Sequence, residues 1–198
     1  MFYLLRYILW GIGIFVLIFL YVKRHAIKKV PFFLCIILYT AFISIITVFP
    51  IENLFYNFDS PQAVFEFAGQ GTLDDVVYGE NSALFVYSKG NSRCSTSITA
   101  KSENGYKIPK YYSFEKIFYS FDKVAMITVI RAKNTEDYYL YAGVNTQENV
   151  PPVIENNGEE IHVMQLSPNL YFICFNIKHY APTYSIVING EKIVLSGS

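Results

Sequence analysis

Lys23-Arg24-His25-Ala26-Ile27-Lys28-Lys29 is the stretch on which the reading of this chain turns. It holds four Lys or Arg and one His between two long apolar runs. On its amino-terminal side, Phe2 to Val22 is apolar apart from Arg6. On its carboxy-terminal side, Val30 to Pro50 carries no charge. A helix of about 20 apolar residues spans a hydrocarbon core of roughly 30 Å, so both runs read as membrane-crossing helices. The expectation is a two-helix transmembrane hairpin over residues 1–50. Lys23, Arg24, Lys28 and Lys29 set its topology, because a basic loop stays on the cytoplasmic side. Both termini and residues 51–198 then fall outside the plasma membrane. No small-x-small cleavage site follows the first run, so it does not read as a removable leader. Gly11 and Gly13 fall level with Thr40, Ala41 and Ser44, where small side chains let two helices approach closely.

Beyond Pro50 the chain changes character. All 16 Asp and Glu lie there, against 11 of the 16 Lys and Arg, so the larger region is acidic. Such a charge balance argues against nucleic acid as a partner. Ile51, Leu54, Phe55 and Phe58 recur at helical spacing. They read either as a helix lying on a membrane surface or as a core-facing first helix. Ser60-Pro61 signals a helix start, and Gly69 and Gly71 signal its end.

From Thr72 onward the pattern is of strands. Four runs, at 76–78, 83–88, 94–100 and 106–112, are separated by turn signals around Gly79, Gly90 and Gly105. They predict an antiparallel meander carrying the 61–68 helix, with Pro109 marking an edge. Seven more runs, at 115–120, 123–132, 138–144, 160–166, 170–178, 183–188 and 191–195, predict a small β-sandwich. Residues 124–130 are apolar on both faces, as in a central strand. The last pair is the most explicit. Asn189-Gly190 between two β-branched runs demands a two-residue hairpin, because both turn positions need positive φ. That turn pairs Ile186 with Ile193 and places Tyr184, Ile186, Ile193 and Leu195 on the core face. The whole reads as an extracytoplasmic α+β, mostly antiparallel β domain over 51–198, divisible into 51–113 and 114–198.

Chemistry-bearing patterns are sparse. Glu159-Glu160-x-His162 lacks the spacing of a zinc site, and Asp74-Asp75 lacks the alternating ligands of a calcium loop. His162 reads as part of a solvated strand edge. No nucleophile elbow or phosphate-cradling loop occurs. No catalytic residue, metal site or cofactor is expected. Cys94 and Cys174 could form a disulfide joining the two halves, or stay as two buried thiols. Tyr111, Tyr112, Tyr138, Tyr139 and Tyr141 gather amphipathic rings near strand ends, as binding surfaces do, although packing within the sheets is the more ordinary reading of such rings.

Functionally, these features point to a membrane-anchored, non-enzymatic interaction or sensing module at the cell envelope. Its expected partners are the lipid bilayer and another envelope or membrane protein. A composition rich in Ile, Lys, Asn, Tyr and Phe, without a glycosylation sequon, suits a bacterial envelope. The alternatives are an envelope hydrolase or transferase with a site assembled in the β domain, and a structural subunit of a larger membrane complex.

Overall fold

The computed structural model describes residues 4–23, 29–48, 50–69, 71–90, 92–109, 113–121 and 125–195. Two apolar helices come first, α1 (Leu4–Val22) and α2 (Lys29–Val48). They pack side by side through an aromatic ring. The Tyr39 hydroxyl donates to the Trp10 carbonyl at 2.9 Å. A Cβ added at Gly13 would fall within the Tyr39 ring, so the missing side chain makes room for it. Gly11 faces no neighbour. The small-residue seam is therefore narrower than its spacing implied.

The transmembrane hairpin, the two-pass plasma-membrane location and the external placement of the termini and of residues 51–198 must be corrected. Among the described residues, no helix is long and apolar enough to cross a membrane. Without a spanning helix among the described residues, the basic stretch has no side to select. Lys23 is exposed in the turn after α1, and Lys29 opens α2. Arg24, His25 and Lys28 lie outside the described residues.

A single 3-10 turn follows, Ile51–Leu54. The helical spacing of Ile51, Leu54, Phe55 and Phe58 does not grow into an α-helix. Leu54 and Phe55 are 81% and 71% exposed, while Glu52 is buried. Phe58 instead bridges to Tyr106 and packs on Phe67. Helix α3 (Pro61–Ala68) forms where its punctuation lies. The Ser60 hydroxyl accepts from the Ala63 amide at 3.2 Å, Pro61 takes the first position, and Gly69 ends the helix at φ +60°.

Among the described residues, twelve strands make three antiparallel sheets. The first contains β1 (Thr72–Tyr78), β2 (Ser82–Lys89), β3 (Ser92–Ser102) and β4 (Gly105–Tyr106), in chain order. The last strand is only two residues: Lys107 still donates to the Ala100 carbonyl at 3.1 Å, but the Ile108 amide turns to the Asn53 side chain at 2.7 Å. The second sheet contains β5 (Phe114–Phe121), β6 (Ala125–Ala132), β7 (Tyr138–Asn145), β9 (His162–Ser167) and β10 (Leu170–Ile177), in the order β5-β6-β7-β10-β9. The third contains β8 (Ile154–Glu155), β11 (Ser185–Ile188) and β12 (Glu191–Val194), ordered β12-β11-β8. Strand β8 lies in the connection between β7 and β9.

These elements stack as four layers. Helix α3 covers one face of the four-stranded sheet through Val64 and Phe65 against Phe85 and Tyr106. The other face meets the five-stranded sheet through Val77, Leu84 and Ile98 against Ile130, Tyr139 and Phe172. The far face of the five-stranded sheet packs on the three-stranded one through Ile127, Leu140 and Ile173 against Ile186 and Ile188. The inner strands of the middle sheet meet another layer on each side, which is why β6 and β10 are apolar at nearly every position.

The β11–β12 hairpin turns at Asn189 (φ +52°) and Gly190 (φ +84°). Its register pairs Ile186 with Ile193 and Val187 with Lys192. Ile186 is buried and Lys192 exposed. Ile186→Ala is therefore expected to cost about 2–4 kcal/mol as a buried truncation, and Lys192→Ala less than about 0.5 kcal/mol. Thermal melts giving equal losses would show that this hairpin does not close the fourth layer.

Candidate functional site

Asp75 lies just past a bulge in β1, where the β1–β2 register shifts between Leu73 and Asp75. A bulge bends a strand and re-aims the side chains beside it. One carboxylate oxygen of Asp75 accepts from the next amide, Val76, at 2.7 Å. The other faces His162 Nδ1 at 2.6 Å. His162 opens β9, an edge strand of the five-stranded sheet. The contact thus joins two sheets and two residues 87 positions apart. A carboxylate only accepts, so Nδ1 carries the proton and Nε2 of the neutral ring is left as an acceptor. Both side chains keep some solvent contact, 24% for His162 and 29% for Asp75.

A cleft of about 480 Å³ opens beside this pair, lined by Val76, Tyr78, Glu160, His162, Asn176 and Lys178. A second recess shares Tyr78, Asn176 and Lys178 and extends toward Glu80, Glu136 and His179. Its floor is the carboxylate of Asp137, which holds the β1–β2 turn. Asp137 accepts from the amides of Glu80 and Asn81 at 3.0 and 2.8 Å and from the Ser82 hydroxyl at 2.6 Å. The Ser82 hydroxyl also lies 2.8 Å from that of Tyr139. Burial, above all, holds the Tyr139 phenol far above its ordinary range. At the rim, Gln62 Nε2 donates to the Tyr78 hydroxyl at 2.6 Å. The cleft therefore offers a mixed wall: an imidazole acceptor, a carboxylate, an ammonium, an amide and one exposed ring.

Cys174 lies behind His162. The two residues pair directly across β9 and β10, and paired residues share a face. Cys174 is 0% exposed. Burial pushes its thiol up to about 12, with smaller contributions from Asp75 and Cys94. Cys94, half-buried on β3, packs against the same cluster. Neither is in a disulfide.

The tyrosines singled out in the sequence are placed differently. Tyr139 is fully buried. Tyr138 stacks on Tyr180 with centroids 4.7 Å apart, and Tyr141 stacks on Phe172 at 6.1 Å. Their described ring neighbours are other rings of the chain. Tyr111 and Tyr112 lie outside the described residues. Among the described residues, no group of three or more His, Cys, Asp or Glu could hold a metal ion. In the sequence His162 reads as part of a solvated strand edge, and Asp74-Asp75 only as a pair without a calcium-loop pattern. The available signal was an acidic pair, Asp74-Asp75, leading directly into the apolar Val76-Val77 of a strand. One of two adjacent carboxylates there must face inward and needs a partner.

These features define a layered antiparallel β protein with a polar inter-sheet cleft. No family model, curated protein or solved structure matches the chain.

Proposed function

We propose that the chain is a non-enzymatic interaction or sensing module, and that its recognition site is the cleft between β1 and the β9–β10 pair. The observation that supports this most is the Asp75–His162 contact. It fixes an imidazole on the cleft wall, with donors and acceptors of both charges around it. Rigid strands hold these groups, so little ordering cost falls on binding. The mixed wall suits a polar segment of a partner protein, whose backbone and side chains supply both donors and acceptors. The fully buried Cys174 thiol is out of reach of anything in the cleft, which weighs against nucleophilic catalysis. A hydrolase or transferase reading has one observation in its favour, the carboxylate-oriented imidazole.

Selection of displayed random peptides against the full chain, followed by calorimetry, tests the proposal. Selected peptides are expected to lose at least about tenfold in affinity with His162→Ala or Lys178→Glu, a factor worth about 1.4 kcal/mol. Lys192→Ala, on the outer hairpin, should leave affinity unchanged. Peptides that bind all three variants equally would place recognition elsewhere. Ester turnover lost in His162→Gln would move the assignment to the hydrolase reading.

A further inference from the structure

We infer that the outer edge of β1 accepts a β-strand: an extended segment of a partner protein, reading basic, acidic, basic at alternate positions, adds there as a fifth strand of the first sheet and lies over β9. The inference rests on the cleft being the recognition site, and it names the form of the occupant.

The stacking of the two larger sheets leaves a seat. Strand β1 is the terminal strand of the first sheet, and β9 is a terminal strand of the second. Strand β1 packs over β10, so β9 projects one strand farther. The inward-facing residues of β9 register this. His162 and Met164 are half-buried, while Cys174 and Phe172, their direct partners on β10, are 0% and 6% exposed. One more strand beside β1 would cover β9 as β1 covers β10.

Backbone parity leaves the edge ready to bond. The Gly79 amide donates to the Ser82 carbonyl at 2.9 Å. In an antiparallel ladder, hydrogen-bonded pairs alternate with non-bonded ones. Counting from Gly79 and Ser82, the pair Val77–Leu84 is bonded, and the pairs Tyr78–Ala83 and Val76–Phe85 are not. The amides and carbonyls of Val76 and Tyr78 therefore point away from β2. The Val76 amide turns to the Asp75 carboxylate at 2.7 Å. That leaves the Val76 carbonyl and both backbone groups of Tyr78 for an incoming strand, and both residues line the cleft. An edge of this kind is a template for pairing with another chain.

Charge selects the occupant. Glu160 lines the recess beside His162, Glu80 and Glu136 line the second recess, and Lys178 lines both. Along the edge the wall thus runs negative, positive, negative. Side chains on one face of a strand recur at every second residue. The complement is a basic, an acidic and a basic residue at alternate positions, followed by an apolar one over Met164.

The probe is a blocked nine-residue peptide with lysine, glutamate, lysine, valine and valine at alternate positions and threonine between them. It is added to the full chain, with affinity read by calorimetry and amide exchange by nuclear magnetic resonance. The Tyr78 amide should exchange at least about tenfold more slowly with the probe bound, while Val77, already bonded to β2, is unchanged. An added strand turns the amides of alternate residues toward β1 and the others toward solvent. N-methylation of one alternate set should therefore weaken binding at least about tenfold, and N-methylation of the other set should not. Lys178→Glu should weaken the probe and strengthen a version with lysine in place of its glutamate. Exchange and methylation are both read on the unaltered chain, so a variant that misfolds does not remove the test. Binding that depends on His162 and Lys178 but responds equally to either methylated set would keep the cleft and overturn the added strand. Absence of probe binding, or a dimer of the chain crosslinked from β1 to β1, would overturn it as well. Displayed peptides that ignore both His162 and Lys178 would instead remove the cleft reading itself.

Discussion

Replacing Asp137 by Ala is expected to lower the unfolding free energy of the chain by about 3–5 kcal/mol. Asp137 is 5% exposed and lies at the end of the β6–β7 connection. Its carboxylate satisfies two amides and one hydroxyl of the β1–β2 turn. Truncation strands all three donors, and an unmet buried donor costs about 1–3 kcal/mol. Little else can replace it. A Cβ at Gly79 would lie 2.5 Å from the Tyr139 hydroxyl and 2.6 Å from Asp137 Cγ, so the turn is already packed to contact. Asp137→Asn keeps one acceptor oxygen and should cost about half as much. Urea unfolding followed by circular dichroism measures both. A loss below about 1 kcal/mol for Asp137→Ala would mean that water takes over the turn, and that the carboxylate is not what ties the two larger sheets together at this end.

Phe175→Ala should be as damaging, at about 3–5 kcal/mol, for a different reason. Phe175 is 0% exposed on β10 and packs in the cluster shared with the three-stranded sheet. Its removal leaves a cavity between two sheets whose backbones are held by ladders on both sides, β10 pairing with β7 and β9. Sheets cannot collapse locally as a loop can, so the full cavity cost is retained. Phe121, at the end of edge strand β5 and 75% exposed, is the matched control. Phe121→Ala should change stability by less than about 0.5 kcal/mol. Equal shifts in the two melts would be incompatible with the layered core.

The parts of this fold that could be read from sequence are those set by local backbone chemistry. Asn189-Gly190 needs positive φ twice, and the hairpin follows. Ser60-Pro61 and Gly69 bracket α3 because a cap and a left-handed residue act within one turn. What could not be read is whatever depends on distant partners. Strand β10 pairs with β7 across 24 intervening residues, and β8 exists only because β11 offers it an edge. The Asp75–His162 contact is of the same kind. Each residue alone looks like the wet end of a strand, and only the stacking of two sheets makes them a pair. The helices mislead in another way: apolar runs are plain in the residues, yet no described helix is long and apolar enough to cross a membrane.

Strands β7 and β10, inside the five-stranded sheet, have no wet face, and this changes how they know which way up to lie. In most sheets, one oily side and one watery side settle that question, and a strand inserted upside down exposes its oil. Strand β10 places Ile173, Phe175 and Ile177 against one neighbouring layer and Phe172 and Cys174 against the other. Turned over, it would still be dry. Solvent aversion therefore cannot discriminate between the two orientations. The choice falls to shape, such as the Phe172 ring lying on Tyr141, and to the punctuation at the strand ends, such as Asn134 at φ +62° between β6 and β7. In this molecule the instructions for assembling the driest layer are written in its short, solvent-exposed corners.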